Sequence, residues 1–136
     1  MNNLLQAIMT KISGSALSSD VGGRIFLDEA PDGVEFPYVV FFIVSDVPED
    51  AFAKDGEVVT IQFSLFSASQ GAAEITDMYA DLKALFDDCA MTITSNTLIW
   101  CRRVNMTTMM EDALVNSATQ LVSHWAVDYE LTTVEA

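Results

Sequence analysis

The longest unbroken apolar run in the chain is seven residues, Tyr38-Val39-Val40-Phe41-Phe42-Ile43-Val44. A membrane-spanning helix needs about 20 apolar residues, so this run reads instead as a strand buried on both faces. Such a strand needs a sheet around it and a layer over that sheet. Glu57–Phe66 supplies one neighbour by alternation: Val59, Ile61, Phe63 and Leu65 point one way, Thr60, Gln62 and Ser64 the other. Residues 120–132 alternate likewise. Leu121, Trp125, Val127, Tyr129 and Leu131 share one face, and Gln120, His124, Asp128 and Glu130 take the other. Arg24–Leu27 reads as a short strand after the turn at Gly22-Gly23, and Met91–Thr94 with Thr97–Thr107 reads as a hairpin turning near Ser95-Asn96.

Two segments carry the helical period. Leu4, Leu5, Ile8 and Ile12 form one stripe, which predicts a short amphipathic helix over 3–12. Ile75, Met78, Tyr79, Leu82, Leu85, Phe86 and Cys89 keep i, i+3, i+4 spacing for four turns, with Ser69 as the expected N-cap. The Ser-rich stretch to Ser19, residues 28–37 with Pro31 and Pro37, and Asp46 to Gly56 are expected as loops. Residues 109–118 are expected as a loop or a short helical piece. The order α-β-β-β-α-β-β-β, with short links between strands, predicts an α+β fold: a mostly antiparallel sheet with two helices on one face. At 136 residues the chain suits one domain over 1–136.

Charge excludes several partners. Six Lys plus Arg stand against 20 Asp plus Glu, a net −14, and residues 28–57 hold nine acids and one base, Lys54. Nucleic acids and anionic membranes are both gripped through cations, so neither is expected as a bound partner. Cys89 and Cys101 lie in apolar patterns without CxxC spacing, as reduced core thiols do. The N-terminal Met1-Asn2-Asn3-Leu4-Leu5 lacks the features of a signal peptide, which predicts a protein that stays in the cytoplasm.

No catalytic or metal constellation emerges. His124, the lone histidine, shares a face with Asp128, but Ser123 points the opposite way, so no triad forms. Asp28, Glu29, Asp32 and Glu35 are closely spaced without the EF-hand pattern. No enzyme activity, cofactor or metal is expected. Three features point instead to protein contacts. Glu74, Asp77, Asp81 and Asp88 line one side of the long helix, a solvated face or one apposed to a neighbour's cations. Met106, Met109 and Met110 cluster, and methionine adapts to irregular surfaces as readily as it fills a core. Phe52 stands in an otherwise acidic segment, to fold back on its own domain or to anchor a partner.

Val21-Gly22-Gly23-Arg24-Ile25-Phe26, then Ala30-Pro31, then Phe36-Pro37-Tyr38-Val39-Val40-Phe41 resemble the tail-completion (tail-terminator) proteins of long-tailed bacteriophages. The Gln-containing strand Val59-Thr60-Ile61-Gln62-Phe63, the long helix and the closing His124-Trp125-Ala126-Val127-Asp128-Tyr129 extend the resemblance in order. It implies an α+β subunit of a ring, usually hexameric, that caps the tail tube and joins it to the head-neck connector. It also implies a site in the virion tail or neck of a phage or phage-like particle, after assembly in the host cytoplasm, with no catalytic residues and no membrane. DNA would pass through such a ring without being bound specifically, which favours an acidic lumen. Glu74, Asp77 and Asp81, or the acidic loop, are candidates to line it. Arg24, Arg102 and Arg103 are then left for subunit contacts, beside Phe52 and the methionines. The alternative from charge alone is an acidic DNA mimic that inhibits a nuclease or DNA-binding partner.

Overall fold

A computed structural model describes residues 1–49 and 55–136. Three helices, α1 (Asn2–Ile12), α2 (Ala16–Asp20) and α3 (Ala73–Phe86), accompany six strands. The strands are β1 (Ile25–Leu27), β2 (Tyr38–Glu49), β3 (Gly56–Ser67), β4 (Thr92–Ile93), β5 (Asn96–Val115) and β6 (Ala118–Glu135). They form one curled sheet in the order β1-β2-β3-β6-β5-β4, with the expected order of strands and helices. Only β1–β2 is parallel; the other pairings are antiparallel.

Cross-strand register explains which residues are buried. Phe41 pairs with Phe63, Phe63 with Val127, and Val127 with Met106, so one row of apolar side chains crosses four strands. Val39 and Leu65 belong to the same face, as do Val59, Leu131 and Cys101. Leu4, Ile8 and Ile12 of α1, Leu17 of α2, and Ile75, Met78, Leu82 and Phe86 of α3 close over this face. Burying each such aliphatic or aromatic side chain contributes about 1.5–3 kcal/mol before the cost of ordering it. Phe63 packs against Phe86 at 4.8 Å and edge-on to Tyr129 at 5.8 Å between ring centroids, joining helix to sheet.

The motif at Gly22-Gly23-Arg24 has a steric basis. Gly22 and Gly23 have φ of +59° and +77°, and a Cβ on Gly22 would come within 2.8 Å of Arg24 Nη1. The turn lets the Arg24 guanidinium fold back, and its Nε donates to the Pro37 carbonyl at 3.0 Å. The carbonyl of Arg24 accepts from Val39 N at 3.0 Å, which starts the parallel β1–β2 pairing.

Four expectations need correction. The Ser-rich stretch is not all loop: Ser15 caps α2, its hydroxyl accepting from Ser18 N at 3.2 Å, so three helices rather than two cover the sheet. Helix α3 begins later than a Ser69 cap requires. Its N-cap is Ala72, without a side-chain bond, while Ser67 donates to Glu74 Oε1 at 2.6 Å. Residues 46–49 and Gly56, expected as loop, continue the β2–β3 ladder through pairs such as Asp46 with Val59 and Glu49 with Gly56. Residues 109–118 are neither loop nor helix. β5 runs straight through the methionines to Val115, and β6 starts at Ala118. Asn116 and Ser117, with φ of 53° and 67°, make the tight two-residue turn between them, the left-handed pair that suits a twisted hairpin.

Candidate assembly interface

The long β5–β6 hairpin outruns the rest of the sheet. β3 last pairs with β6 at Ser67–Ser123, so beyond that point the ladder joins β5 and β6 only to each other, with Gln120 Nε2 donating to the Ala68 carbonyl at 2.9 Å. Residues 111–122 thus form a two-stranded arm extending roughly 20 Å at about 3.4 Å per residue. Its root is anchored on the face of the sheet away from the helices. Tyr38 stacks on Phe66 at 4.7 Å, Phe66 stacks on His124 at 4.2 Å, and His124 Nδ1 lies 2.7 Å from Glu111 Oε1. Burial and the Glu111 charge together push the Tyr38 phenol above its ordinary range. His124 therefore pairs with Glu111, not with Asp128, whose Oδ1 accepts from Gln62 Nε2 at 2.9 Å.

The helix-side face of the arm has no such cover. Leu114 is 72% exposed, and Met110 and Leu121 are 59% exposed, the three highest values for large hydrophobic side chains among the described residues. All three occupy positions in register with the buried row of Met106 and Val127. Where the arm leaves the body it walls a groove of about 910 Å³, with Ala68–Ala72 ahead of α3 opposite and Trp125 at its base. No charged side chain lines this groove.

The other expected contact residues are scattered. Met106 packs half-buried against the core, whereas Met109 and Met110 sit on opposite faces of the arm's root. Arg103 is held within the subunit: it forms a two-pronged contact with Asp87 at 3.2 Å and 3.2 Å and donates to Tyr79 OH at 2.6 Å. Arg102 bonds Glu130 at 3.0 Å and lies over the Trp100 ring. Phe52 lies outside the described residues.

On the acidic side, Glu74 is tied to Ser67, while Asp77 and Asp81 of α3 face Asp20 at the end of α2. Desolvation, a hydrogen bond with Asp81 and the charges of Asp81 and Asp77 push the Asp20 carboxyl up to about 6. Asp20 is the member of this cluster that sequence periodicity missed, because its helix is one turn long. Among the described residues no group of His, Cys, Asp and Glu is arranged to hold a metal ion. Both cysteines are free, with their thiols hydrogen-bonded to each other. That contact holds the Cys89 thiol down to about 7 and, together with burial, raises Cys101. No helix among the described residues is long and apolar enough to cross a membrane.

A rigid α+β body with one uncovered apolar arm is the build of an assembly subunit. The chain belongs to the family of the tail completion protein gp17, which it matches over residues 3–132. It is accordingly a structural protein of the phage tail. Its fold is shared by a chain from the virion of a native gene transfer agent particle, with a TM-score of 0.70 at 18% identity. That match covers 98% of this chain and 95% of the other. A second solved chain matches with a TM-score of 0.57 at 10% identity, covering 96% and 94%. No curated protein matches the sequence.

Proposed function

We propose that this protein is a tail terminator: a homo-oligomeric ring, hexameric in the reading the family resemblance supports, that caps the tail tube and joins it to the head-neck connector. The observation that carries the reading is the family match over residues 3–132. A virion chain of the same fold supports assembly with other tail components. Light scattering on the purified chain, followed by negative-stain imaging, tests it. A ring with a central hole is expected; a chain that stays single, or a closed particle without a hole, overturns it.

Within that ring, the acidic side of α3 lines the DNA passage. Asp77 is exposed, and Asp81 and Asp20 lie beside it, so this face meets a polyanion with like charge. Carboxylates repel phosphate over a Debye length of about 8 Å at physiological salt, which keeps passing DNA from sticking. Glu74, already engaged by Ser67, lies at the edge of the same face. Asp77→Lys with Asp81→Lys separates the roles. Normal assembly with slowed DNA ejection supports a lumen position, lost assembly places these residues at an interface, and no effect on either removes them from both.

A further inference from the structure

The helices stop covering the sheet before the sheet ends. Inward positions that are buried along β6 at Val127 and Tyr129 reach the arm as Leu121, and those of β5 reach it as Leu114. On the opposite side of the arm Val122 is buried at the root, while Leu114 and Leu121 have no such cover. Singly exposed apolar side chains are ordinary on a surface, but Met110, Leu114 and Leu121 on one face beside an apolar groove mark a contact.

Charge says what fits there. The two longest uncharged stretches of this −14 chain are 58–73 and 113–127, and they line the groove together with Thr108, Met109 and Met110. Asp112, paired directly with Leu121, is the one carboxylate on this face of the arm, so a basic partner finds a single charge to pair with. Another equally acidic chain, by contrast, meets less like charge there than on the acidic side of α3 with Asp77, Asp81 and nearby Asp20. We propose that a second copy of this chain covers the helix-side face of the arm, seated on Leu114 and Leu121 and in the groove against Ala72 and Trp125. The number of copies rests on the ring reading above. An arm roughly 20 Å long reaches past its own subunit, and a head-to-tail contact of this kind closes into a ring when its rotation allows.

The test uses the full chain with a photoreactive benzophenone side chain introduced at Leu114. Irradiation of a mixture of isotope-labelled and unlabelled protein is expected to join residue 114 of one copy to a peptide of another. In parallel, Leu114→Ser with Leu121→Ser is expected to weaken self-association by about tenfold or more while melting like the natural chain, because both side chains are exposed in the subunit and no charge is set opposite Asp112. Leu114→Ser alone serves as the gentler variant should the double substitution perturb folding. Cross-links only within one copy, or a ring unchanged by these substitutions, overturn the docking surface and leave the ring reading standing. A natural chain that stays single at millimolar concentration overturns both.

Discussion

The two halves of the β5–β6 ribbon share strands, register and twist, yet they end in different surroundings. From Leu98 to Met106, β5 lies over α3 and β4's turn and contributes Cys101 and Met106 to the core, opposite Leu131 and Val127 of β6. From Glu111 onward the same inward positions hold Leu114 and Leu121 beside Asp112 and Thr119, all four exposed. Apolar burial drives folding in the first half, and in the second it is left, in the proposal above, to association. A strand pair therefore need not be completed by its own chain, and the place where helix cover stops is where a partner is expected.

Substitutions on either side of that boundary break or sharpen the contrast. The largest effect is expected in the body: Leu82→Ala, on the fully buried side of α3, should destabilise the isolated subunit by about 2–5 kcal/mol in chemical denaturation. Asp87→Ala comes next. It removes the acceptor for Tyr129 OH at 2.5 Å and both prongs of Arg103, leaving a buried phenol without that partner at a cost of about 1–3 kcal/mol. Leu121→Ala on the arm should shift the isolated subunit by no more than about 0.5 kcal/mol, as surface positions do. A loss like that of Leu82→Ala would mean that the arm is covered by its own chain.

The smallest expected effect depends on pH. Asp20 holds its proton to about pH 6 in the folded chain, against an ordinary value of 3.8. Between those values the folded state binds more protons than the unfolded one, so this group's contribution to stability falls as pH rises from about 4 to about 6. Asp20→Asn should remove that loss, stabilising the protein at pH 7 by less than about 1 kcal/mol and having no benefit below pH 4. Thermal melts across this range provide the check.

The legibility of the sequence followed the same boundary. Val59, Ile61, Phe63 and Leu65 alternate because one face of β3 is buried, and Ile75, Met78, Leu82 and Phe86 keep helical spacing because one stripe of α3 is. The arm offers no such contrast. Met109-Met110, Glu111-Asp112 and Leu114-Val115 place like side chains on both faces, so the period of two disappears and the segment reads as loop. Asn116-Ser117 was the one local signal of a hairpin, and Ser is a weak marker for a positive φ. Helix α2 escaped for another reason: five residues with one buried leucine are too short to show a period. The candidate lumen residues Asp77 and Asp81 could be read from helical spacing, but Asp20 reaches them only through the packing of α2 on α3.

Amide hydrogen exchange, measured along β6 in the dilute subunit and in the assembled particle, probes the contrast most directly. Amides of residues 125–134 pair with β3 and β5 in either state and should be equally protected in both. Those of 118–122, held only by β5 in the subunit, should exchange quickly when dilute and slow markedly on assembly. Unchanged exchange across 118–122 in a fully formed ring would contradict the claim that a neighbouring copy completes the arm.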